Sequence, residues 1–169
     1  VNIVLLCVRY EEGRCAVFML LEAKDISFGH TKNNLLLNHV NFKVNAGERV
    51  ALIGPSGCGK STLSQILSGY LEPSSGSVLF NGAPLPKKGY CPVQLIYQHP
   101  EKAINPRWKM EKTLTEGSEP DETILEEIGI EKQWLKRYPN ELSAGEIQRF
   151  CVARVLGLQT QFIIADEMT

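Results

Sequence analysis

An α/β fold is predicted by three observations. A short apolar run, "RVALI" (49–53), leads directly into the glycine-rich stretch "GPSGCGKST" (54–62). Leu63, Ile66, Leu67 and Tyr70 then recur at helical spacing. Much later a second apolar run, "QFIIAD" (161–166), ends in a carboxylate. Short continuous apolar runs bounded by turn residues read as strands buried on both faces of a parallel sheet, and the 3.6-residue period between them reads as a helix.

The remaining elements follow in order. Residues 1–18 carry no usable pattern and are taken as an extension of unclear origin, because Met19 opens "MLLEAKDISF", a natural start followed by a strand. From Leu35 the run "LLLNHVNFKVNAGE" alternates at Val40, Phe42 and Val44, a strand that stops at the Ala46-Gly47 turn. "GSVLFNG" is a strand closed by Asn81-Gly82, and "VQLIYQ" is another. Residues 101–140 change character: Pro106, Pro120, Pro139 and many charges surround amphipathic stretches at Ile124–Ile128 and Trp134–Leu135, which predicts a small helical insertion.

Composition bounds the class. At 169 residues, 43% hydrophobic and 22% charged, the chain suits one soluble globular domain with a sizeable core. A formal net charge of −1 gives no bulk electrostatic case for a nucleic-acid surface. No run approaches the length of a membrane span, and "VNIVLLCV" lacks the basic start of a signal peptide, so any membrane role is expected through a partner. Five cysteines, at 7, 15, 58, 91 and 151, are odd in number and nowhere at zinc-ribbon spacing. They are expected to be reduced thiols of a cytosolic protein, with Cys91 and Cys151 buried and Cys58 exposed in the glycine loop.

Gly54-x-x-x-x-Gly59-Lys60-Ser61 matches G-x-x-x-x-G-K-[ST] without a gap, after a strand and before a helix. That chemistry cradles phosphate. Glycines let the backbone approach closely with its N–H groups turned inward, and the helix N-terminus adds positive potential. Lys60 would reach the β- and γ-phosphates and Ser61 would hold Mg²⁺. "FIIADE" supplies the matching acids: Asp166 for the Mg²⁺ shell, and Glu167 as a general base that polarises water.

Before the last strand stands "ELSAGEIQRFCVARVLG". With Ser143 as N-cap, Glu146 falls at N3, a capping box for a helix carrying Ile147, Cys151, Val155 and Leu158. The order of glycine loop, Gln98 after a strand, helical insertion, L-S-x-G and "ADE" resembles that of the ABC-type ATPases. The likeness runs from about Leu21 to the end.

The resemblance implies a P-loop NTPase (RecA-like) core with an N-terminal antiparallel β subdomain and a helical insertion subdomain. It divides the chain into a nucleotide-binding core with the β subdomain (19–100), a helical subdomain (101–158) and a return to the core (159–169). It implies ATP and Mg²⁺ as cofactors, with nucleotide contacts from Gly54, Pro55, Ser56, Gly57, Cys58, Gly59, Lys60, Ser61 and Thr62. It also implies that Gln98 joins Ser61 and Asp166 at the metal and senses it, with Lys60, Gln98 and Glu167 catalytic.

The family's aromatic that stacks on adenine falls on His30, with Phe28 two residues earlier. Ser143 and Gly145 match the residues that meet the γ-phosphate of a second subunit in a head-to-tail dimer, whereas Ala144 replaces a glycine and Glu146 a glutamine. "YQHPEKAINPRWKMEKTL" is similar to the subgroup serving nickel and oligopeptide importers, with Asn105-Pro106-Arg107 as its marker. An ATPase subunit powering such import, peripheral on the cytoplasmic face beneath permease subunits, is the implied function.

Two other readings compete. A soluble ATPase of the same superfamily typically carries long coiled coils or tandem cassettes, and neither fits in 169 residues. A P-loop small-molecule kinase explains the glycine loop but not "LSAGE". The family continues past the "ADE" strand, while this sequence stops at Thr169, so a chain incomplete at its C-terminus and inactive in hydrolysis by itself is expected.

Overall fold

The computed structural model describes residues 2–7, 19–31, 34–116, 122–156 and 160–166. The chain separates into two compact units, one covering Val1–Leu95 with the final strand and the other Ile96–Thr160. The divisions inferred from the sequence stand after residues 100 and 158.

The first unit holds most of the strands. They are β1 (Asn2–Cys7), β2 (Met19–Thr31), β3 (Asn34–Asn45), β4 (Arg49–Ile53), β5 (Ser75–Phe80), β6 (Ala83–Pro84), β7 (Val93–Ile96) and β8 (Phe162–Asp166), with helix α1 (Lys60–Leu67) after β4. One sheet runs β3-β2-β5-β6 and the other β4-β1-β8-β7. The first is antiparallel, as the family resemblance implies, and buries Leu21, Ile26 and Val44. Its central strand bulges at Asp25, where φ is 54°, opposite Gly76 at φ 90°. A Cβ on Gly76 would stand 2.4 Å from the carbonyl oxygens of Lys24 and Asp25, so only glycine fits this crossing.

The second sheet corrects two sequence expectations. Asn2–Cys7, which showed no pattern, is an interior strand antiparallel to both β4 and β8. Its run "NIVLLC" is too short to be told from other buried segments by period. "RVALI" was expected to be covered on both faces, yet β4 stands at the sheet edge and alternates in exposure, with Ile53 79% exposed. β8 is covered on both faces, all five of its residues being buried.

α1 stops at Leu67 and not at Tyr70, because Gly69 takes φ 78° and its N–H donates to the Ile66 carbonyl, closing the helix. Tyr70 is left 61% exposed.

The second unit is helical, as its sequence predicts: α2 (Met110–Leu114), α3 (Glu122–Ile128) and α4 (Ala144–Val155), joined by 3-10 turns. Trp134 and Leu135 lie in such a turn (Lys132–Lys136). Met110, Leu114, Trp134, Ile147, Phe150 and Cys151 form its core. Leu158, expected on the face of α4, lies outside the described residues.

Candidate functional site

The site begins where β4 runs out. Ile53 pairs with Asn2 and Asp166 pairs with Ile3. Both β4 and β8 are antiparallel to β1, hence parallel to each other, and both end at the same edge. Two strand spacings separate them, roughly 10 Å. The glycine loop leaves one end and the acid sits on the other.

Gly57 at φ 79° and Gly59 at φ 97° occupy left-handed backbone that lets the loop turn back on itself. Gly59 is the N-cap of α1 and offers no side chain, so the first-turn N–H groups of α1 have no side-chain cap. Lys60 is 9% exposed, and its ammonium donates to the carbonyls of Gly54 (2.8 Å) and Pro55 (2.7 Å). The Cys58 sulfur stands 3.7 Å from the same ammonium. A buried cation, an uncapped helix N-terminus and positive-φ glycines together make a receptor for a multiply charged anion. Ser61 follows, exposed, and Thr62 is half-buried. Pro55, Ser56 and Cys58 lie on the exposed turn.

Two residues escaped the sequence reading. A Cβ on Gly59 would stand 2.9 Å from Leu37 Cδ2 and 3.2 Å from Leu36 Cγ, so the β2–β3 hairpin leans on the loop. The pairing shifts between Phe28↔Leu37 and Gly29↔Leu35, leaving Leu36 as the extra residue of a bulge. No local sequence pattern announces that contact, because it depends on pairing between strands. His30 stands in β2 at the same end of the hairpin, and its side chain lies outside the described residues.

Asp166 is 6% exposed, and its Oδ1 has no hydrogen-bond partner among the described residues. A buried carboxylate oxygen is costly unless something completes it. A divalent cation does so, and Mg²⁺ characteristically takes one or two carboxylates together with phosphate oxygens. Among the described residues no group of three or more His, Cys, Asp or Glu could hold a metal. The single buried carboxylate of Asp166 is a donor of the kind that Mg²⁺ takes alongside phosphate oxygens. Glu167 lies outside the described residues. Gln98 is exposed, two residues beyond β7.

In the second unit Ser143 caps α4 as its spacing predicts. Its Oγ accepts from the Glu146 N–H (3.3 Å), and both its N–H (2.6 Å) and its Oγ–H (2.7 Å) donate to Glu146 Oε2. These bonds, the side-chain one foremost, hold the Glu146 carboxyl below the usual carboxylate range. The carboxylate thus turns back on the helix N-terminus. Ser143, Ala144 and Gly145 remain exposed, and nothing lies within 4 Å of where a Gly145 Cβ would sit. Cys58 is exposed and Cys151 buried as expected, while Cys91 is half-buried; burial raises the pKa of both Cys91 and Cys151.

The family described as ABC transporter matches residues 37–169. The nickel import system ATP-binding protein NikE of Staphylococcus aureus, in strains MSSA476 and USA300, is 34% identical over 164 residues, covering 89% of this chain and 66% of the relative. The chain thus spans just under two thirds of those relatives. Among solved structures, an ATP-binding subunit of an ABC transporter aligns over 80% of this chain and 60% of its own, with 25% identity and a TM-score of 0.61. A cbiO1 protein of Clostridium perfringens, part of the ABC transporter complex cbiONQ, aligns over 82% of this chain and 61% of its own (20% identity, TM-score 0.59) and shares the fold.

Proposed function

Since the chain belongs to the ABC transporter family, we propose that it is the ATP-binding portion of an import ATPase, one that drives uptake of nickel or oligopeptides through integral membrane partners. The observation that carries the reading is that β4 and β8 end at the same edge, one leading into the glycine loop with buried Lys60 and the other ending in Asp166, whose Oδ1 has no hydrogen-bond partner among the described residues.

In this account residues 54–62 wrap the triphosphate. Lys60 exchanges its loop carbonyls for β/γ-phosphate oxygens, and the α1 N-terminus adds its N–H groups. Ser61 and Asp166 hold Mg²⁺, which when bound neutralises phosphate charge; Gln98 and Glu167 order and polarise water. His30 stacks on adenine beside the Leu36 bulge. Ser143 and Gly145 meet the γ-phosphate of a second subunit, so ATP closes a head-to-tail dimer, and closure moves the permease. Nickel as cargo is supported by the named relatives, and nickel or peptide by the resemblance carried by Asn105-Pro106-Arg107.

No helix among the described residues is long and apolar enough to cross a membrane. Affinity purification of the tagged chain from detergent-solubilised cells is expected to recover integral membrane proteins at stoichiometric ratio. Recovery with none would favour the soluble-ATPase alternative.

A further inference from the structure

We propose that the second unit carries a binding site for anionic phospholipid headgroups, formed by the basic and aromatic residues of "NPRWKMEK" together with Tyr138. The reading is independent of nucleotide binding. It also differs from attachment through permease subunits, because here the chain itself touches lipid.

The site is built locally. Asn105 Oδ1 accepts from the Arg107 N–H (3.0 Å) and its carbonyl from the Trp108 N–H (3.1 Å), a turn that throws Arg107 outward. The Met110 N–H donates to the Arg137 carbonyl (3.0 Å), pinning the start of α2 beside Tyr138. Between these segments opens a cleft of about 620 Å³ whose lining includes Arg107, Trp108, Lys109, Lys112 and Tyr138, with Glu111 as its one carboxylate. Three cations against one acid leave a local excess of two positive charges, in a chain whose net charge is −1. Bulk composition hides this patch.

Lys112 Nζ sits 4.2 Å from the Trp108 ring centroid, so ring and ammonium brace each other on one wall. Arg107, Lys109 and Lys112 are exposed, Tyr138 is 42% exposed, and Trp108 is half-buried. Tryptophan and tyrosine flanked by lysine and arginine suit the membrane–water boundary, where rings meet the headgroup layer and cations meet its phosphates. A single-stranded nucleic acid would instead need an open ring face for stacking. One face of Trp108 already carries Lys112, and this favours the lipid surface.

The test is vesicle flotation at about 0.1 M salt, a Debye length near 10 Å, without nucleotide. The probes are phosphatidylcholine vesicles with and without phosphatidylglycerol. The native chain should float with the anionic vesicles and not with the neutral ones. R107Q/K109Q/K112Q should weaken that partition about a hundredfold, since each cation near an anionic surface contributes roughly fivefold. The charge-preserving R107K/K109R/K112R should retain it. If the triple glutamine variant unfolds, K109Q and K112Q taken singly should each show the roughly fivefold loss.

Equal flotation with neutral vesicles, or undiminished binding by the glutamine variants, overturns the proposal. So does tighter capture by the native cleft of soluble oligoglutamate or single-stranded DNA, which would reassign it to an acidic peptide or a nucleic acid.

Discussion

Lys60→Ala is expected to lower Mg·ATP affinity by about a hundredfold or more while leaving thermal unfolding nearly unchanged. Lys60 is 9% exposed, and its ammonium is bound only to loop carbonyls and a neighbouring sulfur among the described residues, so its fold-stabilising partners are few. Against a triphosphate it would make charge-assisted hydrogen bonds at about 1.5–3 kcal/mol each, and losing about 3 kcal/mol is roughly a hundredfold in affinity. Arginine should not rescue the site, because its planar fork needs more room than the ammonium occupies. Titration with a fluorescent ATP analogue at fixed Mg²⁺ measures the loss. Unchanged affinity would show that the loop does not cradle phosphate.

The second large effect is expected at Ser143, and the capping box dictates how it must be measured. Aspartate caps helices as well as serine does, but at position 143 it would face the Glu146 carboxylate that now accepts from the Ser143 hydroxyl at 2.7 Å. The comparison therefore belongs in an E146Q background, where the glutamine amide can donate to either cap. E146Q also frees the Ser143 hydroxyl proton for a phosphate, so it should dimerise with ATP at least as well as the native residue. Adding Ser143→Asp sets an anion against the partner's γ-phosphate. At about 4 Å and an effective dielectric near 20, that costs on the order of 4 kcal/mol of closure, roughly a thousandfold.

The chain used should be extended by a relative's C-terminal segment and carry E167Q to block hydrolysis. Size-exclusion chromatography with Mg·ATP should show a dimer for the parent and a monomer for the aspartate variant, both with the same melting temperature. If both dimerise alike, Ser143 serves only its helix.

What the sequence disclosed follows how local each feature is. The glycine loop, Asp166 and the Ser143–Glu146 box depend on residues a few positions apart on one strand end or one helix start, and their spacing suffices. β1 could not be found that way, because an apolar hexapeptide becomes an interior strand only through partners at 49–53 and 162–166. The edge position of β4 is the same lesson reversed: a run suited to a covered strand is half-exposed where it has a neighbour on one side only. Leu36 was invisible because a bulge, not the strand period, aims it at Gly59. The basic cleft was masked by a near-neutral total charge.

If the loop of β4 and the acid of β8 form one metal–nucleotide site at a shared sheet edge, Asp166 matters to ATP binding only when the metal is present. Calorimetric titration of ATP into the native chain and into Asp166→Asn, each with Mg²⁺ and with EDTA, tests it most directly. Mg²⁺ should tighten ATP binding to the native chain, and Asp166→Asn should lose most of this gain while metal-free affinity stays the same. An identical Mg²⁺ dependence in the two proteins would contradict it.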